Sequence, residues 1–270
     1  MAAALLDRLG RLGRFLWSGW AGLTGLALFA ALWQAGHELY GDFILSAPAA
    51  TVQAAALILT DPASLLLVVE TVRRAAEGFL LAVACGAAGG LAAGYSAATM
   101  RVARPILTVL LGVPPIAWIV LAMIWFGSSD GTVTTTVVVA ATPMIFLGVA
   151  EGVMSRDRKL DDMARAFGAG PVQRLRTLGL RHVSAYLFPV LTVALGTAFK
   201  VAVMAELLAN TGGIGGALAM ARANLDVTTA LAWVLVAVGG LIAVEYLVVH
   251  PVRAEFERWR EASRPWGVKR

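Results

Sequence analysis

Asp161-Asp162-Met163-Ala164-Arg165-Ala166-Phe167-Gly168-Ala169-Gly170 is the centre of a polar island that continues to Leu180-Arg181-His182 between two apolar runs. What flanks it decides the fold class. The 270-residue chain is 59% hydrophobic and only 14% charged, where soluble chains carry about 25% charged residues. A hydrocarbon layer about 30 Å thick takes roughly 20 apolar residues per helix. Uncharged runs of that length lie at 15–35, 78–100, 105–126 and 131–150. Two more come close: 183–205, interrupted by Lys200, and 227–244, which precedes Glu245. The reading is an all-α membrane protein of about six transmembrane helices in a single domain over 1–270. It has a first helix at 15–35, a core bundle at about 74–249, a polar loop at 155–182 and a tail at 251–270.

The run 43–60 is also uncharged, but Ser46 and Pro48 come early and alanines fill its middle. Leu, Ile, Phe and Val supply most of the drive for insertion, so we expect a helix lying at the outer surface. A seventh span would put the termini on opposite sides, and the charges oppose that. Arg8, Arg11 and Arg14 precede the first span; Arg101 and Arg104 lie between the second and third. Arg156, Arg158, Lys159, Arg165, Arg174, Arg176 and Arg181 fill the island, and Arg253, Arg258, Arg260, Arg264, Lys269 and Arg270 form the tail. Six spans place all of these on one side, against Glu38, Asp42, Asp61, Asp130, Asp226 and the single Arg222 in the opposite loops. Positive loops stay cytoplasmic, so both termini are expected inside a plasma (inner) membrane.

A net charge of +5 spread over membrane-flanking loops suits anionic inner-leaflet lipid and gives no ground for nucleic-acid binding. Cys85 is alone within an apolar span, which excludes an intrachain disulfide and suggests no metal cluster. His37, His182 and His250 fall at three separate membrane ends. The chain has no G-x-x-x-x-G-K-[ST] loop to cradle phosphates and no nucleophile–base arrangement. No catalytic, cofactor or metal residues are assigned, and energy for any work comes from elsewhere.

Small residues crowd the second span: Gly86, Gly90 and Gly94 stand at GxxxG spacing, which lets helix backbones approach closely in lipid. Packing within the chain is the plainer reading, a dimer contact the other. The third span opens with Pro105 and holds Pro114-Pro115 at mid-depth. Proline removes a backbone donor, and the freed carbonyl needs protein or water nearby. A buried or cavity-lining break follows, whether as a simple kink or as part of a solute path.

The island resembles the signature loop of ABC-importer permeases, written E-A-A, three residues, G, nine residues, I-x-L-P. Asp162 stands at the Glu position, Met163 and Ala164 at the alanines, Gly168 at the glycine, and Leu178 and Leu180 at the I and L; Arg181 replaces the proline. The rest of the chain is similar to the permeases of the nitrate, taurine and aliphatic-sulfonate group. The likeness rests on Val113-Pro114-Pro115-Ile116-Ala117-Trp118, Trp125-Phe126-Gly127, Leu45-Ser46-Ala47-Pro48, and Ala205-Glu206-Leu207-Leu208 followed by Gly212-Gly213-Ile214-Gly215.

The resemblance implies a type I ABC-importer permease fold. It also implies that the loop 162–170 docks a separate ATPase through a short helix holding Arg165 and Ala166, with Asp162 near its start, where the helix dipole favours a carboxylate, and Gly168 at its end. A charged, solvated loop capped by Asp162 and ended by Gly168 is the plain alternative. ATP and Mg would be bound by two partner ATPase subunits. A second permease copy and an external solute-binding protein complete the assembly, and the chain is no enzyme by itself. The implied solute is a small anion such as a sulfonate, taurine or nitrate. The alternatives are a thiamine-precursor-like heterocycle, or a secondary transporter, for which neither inverted repeats nor coupling acids stand out. Pro114, Pro115, Trp118, Lys200, Glu206 and Glu77 are the expected path residues. Lys200 lies in the outer half, either adding positive potential with Glu77 as its partner or snorkelling to the headgroups.

Overall fold

The computed structural model describes residues 2–156, 158–170, 173 and 179–249; the side chains of 2–19, 21, 158, 161, 180–182, 248 and 249 lie outside that description. Its helices are α1 (Ala2–Tyr40), α2 (Pro48–Thr60), α3 (Pro62–Tyr95), α4 (Ala97–Gly112), α5 (Pro115–Phe126), α6 (Asp130–Met154), α7 (Arg158–Ala166), α8 (Leu180–Ala209), α9 (Gly213–Ala223) and α10 (Val227–Val244). Among the described residues, α3, α6, α8 and α10 are long and apolar enough to cross a membrane, and the α4–α5 pair makes a fifth candidate if taken as one bent span. The expected first span, 15–35, falls inside α1.

Helix boundaries follow local chemistry. Pro62 opens α3 at a position whose missing N–H costs nothing. Asp61 caps it by accepting from the Ser64 N–H at 2.9 Å and the Ser64 hydroxyl at 2.7 Å, and these donors hold its carboxyl below the usual range. Asp226 caps α10 in the same way through the Thr229 N–H at 3.0 Å, with the same direction of shift. The second apolar run, expected as 78–100, is two elements. α3 starts sixteen residues earlier at Pro62 and stops at Tyr95, and Ser96 then caps α4 through the Thr99 N–H. Pro105 lies inside α4 instead of opening a span. The run 105–126 is broken, with α4 and α5 meeting at 97°. Proline disfavours helix at the residue before it, and Val113, with φ −82° and ψ 127°, leaves the helix there.

At 13 residues α2 spans only about 20 Å, too short for the hydrocarbon layer, in keeping with a surface helix. It lies against α10, where Thr228 donates to the Ser46 hydroxyl at 2.8 Å.

The core is built on α3 and α6, which run parallel with their backbones close. A Cβ on Gly78 would stand 2.7 Å from Val137, on Gly86 2.9 Å from Ile145, on Gly90 2.5 Å from the Phe146 carbonyl, and on Gly94 2.5 Å from Val153. The glycine stripe is therefore a seam within the chain. α8 packs antiparallel against α6, with Gly148 against Val190 and Gly152 against Val183. This topology gathers the start of α3, the start of α6, the end of α8 and all of α9 at one end. That end is acidic, and the opposite, basic end carries Arg101, Arg104, Arg156 and α7.

Candidate functional site

At the basic end, α7 begins at Arg158, so Asp162 sits at its middle and not near its start as the dipole argument required. It ends as expected. Gly168, at φ +80°, takes the left-handed conformation that glycine accepts most readily. The Gly168 N–H donates to the Arg165 carbonyl at 3.0 Å and the Ala169 N–H to that of Ala164 at 3.0 Å, the paired bonds of a Schellman stop. Leu160 and Met163 in α7 and Phe167, the residue just past its end, are spaced three and four apart and share one side. All three are exposed, Phe167 at 85%. Asp162, Arg165 and Ala166 are also exposed and Ala164 is half-buried. Leu178 lies outside the described residues, and Leu180 is described only as the first backbone position of α8.

A second contact anchors this end. Arg156, just past α6, donates to the Tyr95 hydroxyl at 2.8 Å and lies 5.3 Å from its ring centroid. The two parallel helices are thus tied together beside α7. The sequence offered no sign of this pair.

The acidic end holds a network that the charge count passed over, because Arg73 and Arg74 fall between runs. Glu206, in the last turn of α8, is fully buried. Its Oε1 accepts from Arg74 Nη1 at 2.9 Å, and its Oε2 from the Thr71 hydroxyl at 2.7 Å and the Gly215 N–H at 3.1 Å. Thr71 in turn accepts from the Ile214 N–H at 2.8 Å. Gly213 and Gly215 are required here: a Cβ on the first would collide with the Glu206 carboxylate and on the second with the Val203 carbonyl. Arg74 continues to Asp130 at 2.8 Å, and Arg73 joins Asp130 at 2.7 Å and Glu77 at 2.8 Å. One connected set of charges fixes α3, α6, α8 and the N-terminus of α9, whose dipole favours the carboxylate.

This geometry corrects two expectations. Glu77 pairs with Arg73 on its own helix, and Lys200 is exposed with no ion pair among the described residues. The Glu206 carboxylate is enclosed by donors and presents no face to a solute. Pro114 and Pro115 are exposed at the α4–α5 break. One turn on, the Trp118 indole N–H is buried and unpaired among the described residues, although a buried donor ordinarily has a partner.

The chain is similar to the nitrate import permease protein NrtB of Leptolyngbya laminosa, at 28% identity over 58% of this chain and 55% of that one. The chain therefore spans about half the length of that relative. To NrtB of Synechococcus elongatus it is 25% identical over 70% of this chain and 72% of that one. To the taurine transport system permease protein TauC of Escherichia coli it is 29% identical over 50% and 49%. Its fold is similar to a chain of the MetNI methionine ABC transporter, with a TM-score of 0.54 over 76% of this chain and all of that one at 17% identity. The family described as the binding-protein-dependent transport system inner membrane component matches residues 83–253. That stretch is more than half of the chain and runs from the middle of α3 past α10, so the protein belongs to this family of inner-membrane transport permeases.

Proposed function

We propose that the chain forms the solute pathway of an ATP-driven importer and takes its energy from a separate ATPase docked on 162–170. The observation that carries this reading is α7: a nine-residue helix with an apolar side exposed in a polar loop, closed by a glycine stop. Exposed Met and Phe on a short helix suit a groove in a partner protein better than they suit water. The basic end faces the cytoplasm in this reading, because positive loops stay inside, and both termini follow it there. ATP and Mg are held by two ATPase subunits. A second copy of the chain supplies the second docking helix, and a solute-binding protein meets the acidic end.

Closure of the ATPases on ATP draws the two α7 helices together. The seam between α3 and α6, clamped by Arg156–Tyr95 near α7 and by the Arg74–Asp130–Glu206 network at the far end, carries that movement as a rigid unit. The α4–α5 break, with exposed Pro114 and Pro115 and the unpaired Trp118 N–H, lines the path. The solute is a small oxyanion of the nitrate or sulfonate kind, for which the nitrate and taurine permeases among the relatives are the support.

Replacing Phe167 with Asp tests the docking. The variant is expected to insert and fold as the parent does while the ATPase no longer copurifies and uptake is lost. Normal ATPase retention and uptake by a correctly inserted variant would refute it.

A further inference from the structure

The arginines at the two ends of the bundle are treated differently. Arg73 and Arg74 at the acidic end are saturated by Glu70, Glu77, Asp130 and Glu206. Arg101 and Arg104 at the basic end are exposed and have no carboxylate partner among the described residues. They are not simply spread over a solvated face. Arg101, Arg104 and Thr108 recur at intervals of three and four, which puts all three on one side of α4. Together with Met100, Pro105 and Met154 they line an open cavity of about 530 Å³.

The lining is mostly apolar, from methionine, proline and alanine side chains and the arginine stems, with a small polar share from Arg101, Arg104 and Thr108. Thr108 donates to the Arg104 carbonyl at 3.0 Å, which leaves its oxygen lone pairs free to accept. A planar guanidinium binds a phosphate through two parallel hydrogen bonds, and a pair of them fixes its orientation. The apolar wall suits the glycerol and first methylenes of a lipid, and a free hydrated anion would leave it empty. Arg101 and Arg104 stand at the first turns of α4, where that helix enters the apolar layer from the basic end. This is the depth of a headgroup.

We propose that this cavity is a binding site for the phosphate of an anionic phospholipid headgroup in the cytoplasmic leaflet, with Arg101 and Arg104 as its cationic walls. The proposal rests on the basic end being cytoplasmic. A lipid seated there fills the space between the ends of α4 and α6, next to the residue, Met154, that closes α6 before Arg156 and α7. The site lies beside the element proposed to meet the ATPase.

The test uses the full chain, purified in mild detergent, equilibrated with equal amounts of phosphatidylglycerol and phosphatidylcholine, and weighed with its retained lipids by native mass spectrometry. Phosphatidylglycerol is expected to be retained roughly tenfold over phosphatidylcholine. Arg101→Gln with Arg104→Gln is expected to bring the two to parity, whereas Arg222→Gln, which removes a cation from the acidic end, leaves the preference intact. If the double variant fails to insert, Arg104→Gln alone is read in the same assay and should lose most of the preference. Equal retention of both lipids by the parent, or an unchanged preference in the arginine variants, overturns the proposal. Displacement of phosphatidylglycerol by millimolar inorganic phosphate would make this a free-oxyanion site and overturn the lipid assignment. Labelling of an Ala98→Cys variant by an impermeant maleimide in inside-out against right-side-out vesicles reports the side separately. Labelling from outside would refute the orientation, whereas labelling from inside without lipid preference would refute the lipid site alone.

Discussion

Glu206 sits in the last turn of α8, where a helix dipole disfavours negative charge, and it is buried. Arg74, Thr71 and the Gly215 N–H offset both penalties. Glu206→Ala therefore leaves Arg74 partly uncompensated in the interior, and such a loss costs about 3–5 kcal/mol. The expected outcome is a large fall in the Tm of detergent-solubilised protein, or no inserted protein. Arg74→Met with Glu206→Met together should cost less than the two single changes summed, because the pair is coupled; strict additivity would mean that the two charges act independently. The sequence marked Glu206 for attention but not its role. Its main partners lie 132 and 135 positions away, and no spacing rule reaches that far. Lys200 shows the opposite failure. It was legible as a cation within an apolar run, but the nearby acid matched to it by depth was already taken by Arg73, one helical turn away. Lys200→Met measures what remains: it should insert normally and lower uptake if the cation serves the path, and leave uptake unchanged if it only reaches the headgroups.

Among the elements, the α3–α6 seam is where sequence and structure agree most closely. GxxxG spacing predicted close backbone approach, and a Cβ added at Gly86, Gly90 or Gly94 would stand within 3 Å of an α6 atom. Gly90→Leu should destabilise by about 1–3 kcal/mol or more, seen as a lowered Tm, whereas Gly112→Ala, with open space around it, should not lower it. Equal effects would deny the seam. Helix ends were less legible. Apolar run length placed one span at 78–100, but the Asp61–Pro62 start and the Ser96 cap lie in stretches that hydropathy does not resolve. The bend at Pro114 could be anticipated from the proline pair, but its angle of 97° depends on what α5 packs against. The caps also set a pH response. Asp61 and Asp226 have folded carboxyl pKa values below their unfolded ones, so their contribution is present above about pH 4 and is lost as pH falls through the lower folded values. Asp226→Ala should cost about 1 kcal/mol or less at neutral pH, since the cap is solvent-screened, and should remove its share of the acid sensitivity.

For the whole molecule, the arrangement has a rigid centre with two differently charged ends. The parallel pair α3–α6 is pinned at one end by a partly buried ion network and at the other by Arg156 on Tyr95, with α7 beside the second pin. The family and its fold were legible from joint motifs spread along most of the chain. The charge imbalance sets an expected direction of insertion, whereas the exposed apolar side of α7 was not legible. That required knowing that Leu160, Met163 and Phe167 are exposed together, because the same spacing in a packed helix would read as core. The central claim is that this side meets an ATPase. A photo-crosslinking amino acid at Phe167 in the assembled transporter tests it most directly. The account predicts an adduct between this chain and the ATPase subunit, one per copy of the chain, with no such adduct from the same probe at Leu225 on the acidic end. Efficient crosslinking of Phe167 only to lipid or to the chain itself, in a complex that still transports, would contradict it.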